Sequence, residues 1–169
     1  MKARLAQLVM DGLKKAHVGL VVALPDTLLA GVYEAAGKDK EIRYIPVTNE
    51  AEGASLVAGS WAGGKRAVLV MENSGLRVAC EALARLGFMH ELPVPMMFGY
   101  RGDVGERFHW GVNHGITMEP LLNAMRIPYL MVDREEDIVS SVARGIVHAV
   151  NSQYHSAIVF RRPLVGENS

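Results

Sequence analysis

The stretch A-V-L-V-M-E-N-S-G-L, Ala67 to Leu76, decides the fold. Its apolar residues run on from Ala67 to Met71 without alternating, the pattern of a strand covered on both faces. Asn73-Ser74-Gly75 then reads as a turn that opens a helix, and Leu76–Phe88 carries apolar residues at helical spacing. Strand, polar turn and helix in that order form one unit of an α/β fold.

The same unit recurs on either side. Upstream lie the strand patterns Val18–Leu24 and Ile42–Val47, and downstream Val94–Gly99, Tyr129–Val132 and Ala157–Arg161. Helical patterns Thr27–Ala36, Ala51–Ala62, Met118–Met125 and Glu135–Asn151 separate them, and Leu5, Leu8, Val9 and Leu13 mark an opening amphipathic helix. Alternation of this kind predicts a three-layer α/β/α fold around a mostly parallel six-stranded sheet with right-handed crossovers. Residues 1–169 read as one domain, with no linker or repeat inside it; the order of the strands stays open.

Composition narrows the function classes. The chain has 169 residues, half of them hydrophobic (50%), and 18 basic side chains balance 18 acidic ones. A net charge of zero gives no electrostatic footprint for nucleic acid or an anionic membrane. It also offers little colloidal repulsion, as suits a subunit of a complex. The longest apolar run, Val18–Pro25, is far below the roughly 20 residues of a membrane helix. Gln7 and Asp11 interrupt the first apolar residues, so no signal peptide is read and a cytoplasmic location is expected. A single cysteine, Cys80, excludes an intrachain disulfide and a cysteine-based zinc site.

In a parallel sheet, ligands gather beyond the carboxyl ends of the strands. Four segments fall there: Pro25-Asp26-Thr27, Thr48-Asn49-Glu50, Glu72 to Gly75, and Tyr100 to Gly115, read as the longest irregular stretch. No phosphate-binding P-loop, G-x-G-x-x-G or G-x-S-x-G occurs. Glu50 opens a helix, where an acidic residue favours the helix dipole by roughly 0.3–1 kcal/mol. Thr48 or Asn49 can cap that helix and Glu52 can share the dipole role. Position alone therefore leaves Glu50 structural or chemical. His109 and His114 are five apart, so they do not share a helix face as a metal pair would, and no metal site is expected. On a loop they are acid–base or substrate candidates. Arg101, at the exit of the fourth strand, can clamp an anion or serve as an ordinary ion pair.

Taken together, P-D-T at Pro25–Thr27, V-T-N-E-A-E-G-A-S-L-V-A-G at Val47–Gly59, M-E-N-S-G-L at Met71–Leu76 and G-Y-R-G-D-V-G at Gly99–Gly105 resemble the pyrimidine-binding domain of thiamine diphosphate-dependent decarboxylases. Within that family the chain is similar to the sulfopyruvate decarboxylase alpha subunits and to the N-terminal domain of phosphonopyruvate decarboxylases. The resemblance covers nearly the whole chain. It implies that Glu50 is the glutamate that hydrogen-bonds N1′ of the cofactor's aminopyrimidine and favours its imino tautomer, so that the 4′-imino group takes the thiazolium C2 proton. It places Glu50, Pro25, Asn73 and Ser74 on the cofactor side. Asp26, Thr27, Arg101, His109 and His114 fall on the substrate side. The loop reads F-H-W-G-V-N-H here, where phosphonopyruvate decarboxylases read roughly D-E-P-Q-H.

The family anchors the diphosphate through Mg²⁺ held by a G-D-G motif and a later Asn, and no G-D-G occurs in this chain. The resemblance therefore implies a beta-type partner subunit that carries the diphosphate and Mg²⁺, a hetero-oligomer with a shared site. The expected substrate is a small anionic 2-oxo acid such as 3-sulfopyruvate, converted to sulfoacetaldehyde and CO₂. Two alternatives stand beside it: a phosphonopyruvate-type or carboligating enzyme on the same scaffold, and a binding or scaffold subunit that kept the fold without the chemistry.

Overall fold

In the computed structural model, which describes residues 1–166, the chain opens with helix α1 (Ala3–Lys15), whose Leu5, Ala6, Val9, Met10 and Leu13 are buried. The remaining elements follow as β1 (Leu20–Ala23), α2 (Ala30–Lys38), β2 (Arg43–Pro46), α3 (Glu50–Ala62), β3 (Ala67–Glu72), α4 (Gly75–Ala84), β4 (Pro95–Gly99), α5 (His109–Ala124), β5 (Tyr129–Val132), α6 (Ile138–Ser152), β6 (Ser156–Phe160) and α7 (Arg162–Val165). A π-helical turn, Arg85–Met89, extends α4, and a 3₁₀ turn, Glu135–Asp137, leads into α6. The last three positions of the expected 1–169 domain lie outside the described residues.

The sheet has six strands in the order β2-β1-β3-β4-β6-β5, and every neighbouring pair is parallel. Alternate residues of each strand face opposite layers. Val21, Val68, Val70, Met97, Ile158 and Phe160 pack with α1, α2 and α6. Val22, Leu69, Met71, Met96, Phe98 and Val159 pack with α3, α4 and α5. The uninterrupted apolar runs follow from this double cover: all residues of β4 and β6 are buried, whereas the edge strand β2 reads R-Y-I-P and is half open. Its Pro46 costs no ladder bond that an inner strand would need.

The mostly parallel six-stranded sheet and its two helical layers match the sequence reading, and Tyr129–Val132 has the expected bounds. Two expectations need correction. The stretch Tyr100–Gly115 is not irregular throughout, because α5 begins at His109 rather than Met118; His109 and His114 are therefore helical, not loop residues. The cause is tertiary. Gly102 sits at φ +86, and a Cβ on it would lie 2.5 Å from Gly115 N and 2.6 Å from Gly111 O. The glycines that weaken the helix signal are the ones that let the loop press onto the helix. Second, Thr27–Leu29 is a turn, and α2 starts only at Ala30.

The order of the strands places the site. β1 feeds α2 into one helical layer, while its neighbour β3 feeds α4 into the other. The loops beyond adjacent strands thus part, leaving a crevice at their carboxyl ends. Among the described residues, no helix is long and apolar enough to cross a membrane.

Candidate functional site

Glu50 is the first residue of α3, yet it does not cap the helix. The Asn49 side chain accepts from Ala51 N at 2.8 Å, and Glu52 reaches back to Thr48 N at 3.2 Å. With both capping duties taken, the Glu50 side chain turns inward and is buried, 9% exposed. It lies against the start of α4, where a Cβ on Gly75 would stand 2.6 Å from both Cγ and Oε1 of Glu50. Only glycine leaves room there. Among the described residues the Glu50 carboxylate has no hydrogen-bond or ion-pair partner. Its oxygens keep some solvent contact, unlike the buried and unpartnered Nε of Arg101, so the carboxylate is open to a ligand that donates a hydrogen bond.

The loops after β1, β3 and β4 are tied together by side chains. Asn73, 1% exposed, grips the backbone of Arg101 twice: Nδ2 donates to Arg101 O at 2.9 Å, and Oδ1 accepts from Arg101 N at 3.0 Å. Asp26 folds back on its own loop, accepting from Leu28 N, from Leu29 N at 3.1 Å and from the Tyr33 hydroxyl. Burial lifts the Asp26 carboxyl above its ordinary range, against the opposing pull of those three hydrogen bonds. Pro25 and Thr27 are exposed on this loop, and Thr27 Oγ1 accepts from Arg101 Nη2 at 3.2 Å. Ser74 donates to Glu72 Oε1 at 2.9 Å.

Arg101 is buried between two carboxylates, with Nε 3.5 Å from Glu72 Oε2 and Nη1 3.6 Å from Glu106 Oε2. Its guanidinium lies 5.1 Å from the ring centre of Trp110 and 5.9 Å from that of Phe108. Its Nε makes no hydrogen bond among the described residues. Next to it, Asp103 holds Arg161 through two bonds of 2.7 and 3.1 Å and accepts from Arg162 N and Val104 N. Burial pushes the Asp103 carboxyl upward, but these four donors outweigh it and hold the group below the usual range. The R-G-D tripeptide, Arg101 to Asp103, is thus an internal feature of the loop.

His114, on α5, faces Glu72 across the crevice, Nε2 to Oε1 at 3.8 Å. Arg77 Nη2 lies 2.6 Å from His114 Nδ1. A guanidinium only donates, so Nδ1 is the acceptor and Nε2 carries the hydrogen toward Glu72. Burial first, then the charges of Arg77 and Arg101, keep the imidazole below its ordinary pKa against the pull of Glu72. His109 opens the same helix, exposed and with no side-chain partner among the described residues. The structure therefore brings Ser74, Arg101 and His114 together around Glu72, sets Glu50 beside the same β3–α4 turn, and leaves His109 and Pro25 at the surface. Sequence reasoning passed over Arg77, whose only signal is that it follows the N-S-G-L turn. It also gave Glu72 no role of its own. Among the described residues no group of three or more His, Cys, Asp and Glu stands where it could hold a metal ion.

No protein-family model matches the chain. Curated relatives do. Over 142 residues it is 29% identical to the sulfopyruvate decarboxylase subunit alpha of Methanococcus maripaludis, covering 84% of this chain and 85% of the relative. It is 33% identical over 129 residues to the protein of that name from Methanothermobacter thermautotrophicus, covering 76% of this chain and 78% of the relative. A phosphonopyruvate decarboxylase of Streptomyces hygroscopicus is 32% identical over 96 residues, which are 57% of this chain and 24% of that one.

Proposed function

The chain belongs to the family of sulfopyruvate decarboxylase alpha subunits, and from that membership we propose that it is one half of a thiamine diphosphate-dependent decarboxylase of 3-sulfopyruvate. One observation carries the cofactor assignment. The Glu50 side chain is largely buried, relieved of capping and, among the described residues, without a partner, and it rests where Gly75 leaves space. That environment fits the aminopyrimidine end of the cofactor, which presents hydrogen-bonding ring nitrogens.

Thiamine diphosphate, when bound, supplies the electron sink for loss of CO₂ from a 2-oxo acid. Glu50 holds or shares a proton at a ring nitrogen, and its covered setting strengthens that bond. Gly75, lacking a Cβ, leaves the room that the carboxylate occupies. Pro25 and Ser74 border the cofactor side, while Asn73 acts as a positioning residue by holding the Arg101 backbone. Thr27, Arg101, His109 and His114 make up the substrate side, with Asp26 shaping its loop. The diphosphate and Mg²⁺ are assigned to a beta-type partner subunit, since the relatives carry the name subunit alpha and the sequence has no G-D-G.

The test is reconstitution. This chain, a G-D-G-containing partner, thiamine diphosphate and Mg²⁺ together should release CO₂ from 3-sulfopyruvate, and neither chain should do so alone. Glu50→Gln should lower kcat/KM of the complex by about 10²–10⁴-fold, the range for losing a positioned acid–base group. Full turnover by the isolated chain overturns the shared site. A normally active Glu50→Gln complex overturns the role of Glu50, and much faster turnover of 3-phosphonopyruvate overturns the substrate.

A further inference from the structure

Where the β1, β4 and β6 loops meet the start of α1, the surface opens into a cleft of about 570 Å³. Its walls carry a concentration of positive charge that a chain of zero net charge has no general reason to show. Lys2, Arg107 and Arg162 line it, and among the described residues none of the three side chains has an acidic or hydrogen-bonding partner. Two further cations of the lining are engaged: the Met1 ammonium donates to Leu28 O, and Arg101 is held by Glu72 and Glu106, although its buried Nε lacks a hydrogen bond among the described residues.

The acid of the lining, Glu106, does not balance the three. Its carboxylate accepts from Gly102 N at 3.0 Å, Arg107 N at 2.9 Å and Phe108 N at 3.1 Å, and it also faces Arg101. It is a loop fastener whose oxygens are taken. One wall is apolar: Phe108 and Trp110 stack at 5.5 Å and 18°, both about half exposed. An apolar wall beside three cations that lack partners among the described residues suits a short organic anion with a strongly acidic oxyanion head, and a guanidinium pair recognises such a head with paired hydrogen bonds.

We propose that this cleft is an anion site in which Arg107 and Arg162, helped by Lys2, take the sulfonate or phosphonate group of a small organic acid while Trp110 covers its carbon chain. The proposal rests on the decarboxylase reading for the identity of that acid, the substrate. It departs from the sequence expectation in one respect: Arg101 shapes the cleft floor, and its neighbours supply the free charge.

The test reads binding rather than turnover. In the full chain with Trp61→Phe, Trp110 is the remaining tryptophan, and its emission is followed while 3-sulfolactate, lactate or inorganic sulfate is added. Sulfolactate has a hydroxyl in place of the oxo group and is not decarboxylated. The expected result is a saturable response to sulfolactate, none to lactate, and a weaker one to sulfate. Arg107→Gln and Arg162→Gln should each weaken sulfolactate binding about tenfold or more, with Arg162→Lys retaining part of it. Lack of any response, or unchanged affinity in both Gln variants, overturns the site. Sulfate binding as tightly as sulfolactate overturns the organic acid as occupant in favour of a free oxyanion. In an active reconstituted complex, Arg162→Gln should raise KM for 3-sulfopyruvate at least tenfold with a smaller change in kcat. An inactive complex whose chain still binds sulfolactate through Arg162 sinks the decarboxylase reading alone.

Discussion

Two acidic residues at the carboxyl end of the sheet are both largely buried and differ in how their oxygens are used. Asp103, 6% exposed, has both oxygens occupied by Arg161 and by backbone N–H groups. Glu50, 9% exposed, has neither oxygen occupied among the described residues. Burial of an ionised group is costly unless it is paired, and the four donors to Asp103 offset that cost and fasten the loop. The contrast separates side chains whose polar atoms are taken up by the protein from those without a partner among the described residues. Asn73, Asp26, Asp103 and Glu106 belong to the first kind; Glu50, with Lys2, Arg107 and Arg162, belongs to the second.

The sharpest way to break this contrast is Gly75→Ala. The added methyl meets Glu50 Cγ and Oε1 at 2.6 Å, so the side chain has to move. Activity of the reconstituted complex should fall by about 10²-fold, on the scale of a misplaced catalytic group, while the circular-dichroism spectrum of the chain stays unchanged. Normal activity would show that the position of Glu50 does not matter. On the paired side, Asn73→Ala removes both bonds to the Arg101 backbone, taking the side-chain donor from its C=O and leaving its N–H with Gly99 O alone. Denaturant unfolding should show a loss of about 2–4 kcal/mol.

Asp103→Asn should cost about 1–3 kcal/mol at neutral pH, again by denaturant unfolding. Its pH dependence has a definite sign. Because the folded state holds the Asp103 carboxyl below its ordinary value, its stabilisation is complete above about pH 4, the unfolded value, and is lost as pH falls through the folded one. The difference between Asp103→Asn and the parent should therefore shrink on acidification below about pH 4; a gap that stays constant there would rule out the ion pair as its source. The smallest effect is expected for Asn49→Ala. It removes the cap at Ala51 N for about 1 kcal/mol of stability, with kcat of the complex retained. A large loss of kcat would mean that capping and chemistry are coupled through the first turn of α3.

Much of the scaffold was legible because a strand buried on both faces writes itself as an unbroken apolar run, as in A-V-L-V-M and P-M-M-F-G. α5 was only half legible. Gly111 and Gly115 lower its intrinsic helix preference, and what they make room for, Arg101 and Glu106 against Gly111 and Gly102 against Gly115, lies in a different segment. The same holds for the site. Glu50 stood out through its motif, and only the structure shows that Asn49 and Glu52 make the capping bonds of its helix. Asn73 was read as a ligand group, yet its amide is spent on the Arg101 backbone 28 residues away. His155, fully buried with Val94 N donating to Nδ1 and its Nε2 bonded to Leu83 O, left no sequence signal, because both partners are backbone atoms.

By itself the sequence determined the class of fold, the number of strands and the identity of Glu50 as the residue to explain, since apolar periodicity and local turn chemistry are properties of neighbours along the chain. Only the tertiary structure decided the strand order β2-β1-β3-β4-β6-β5. It also decided which carboxylates are satisfied, and that Lys2, Arg107 and Arg162 share one cleft. Those facts depend on which groups meet across the sheet, and a one-dimensional pattern does not carry that information.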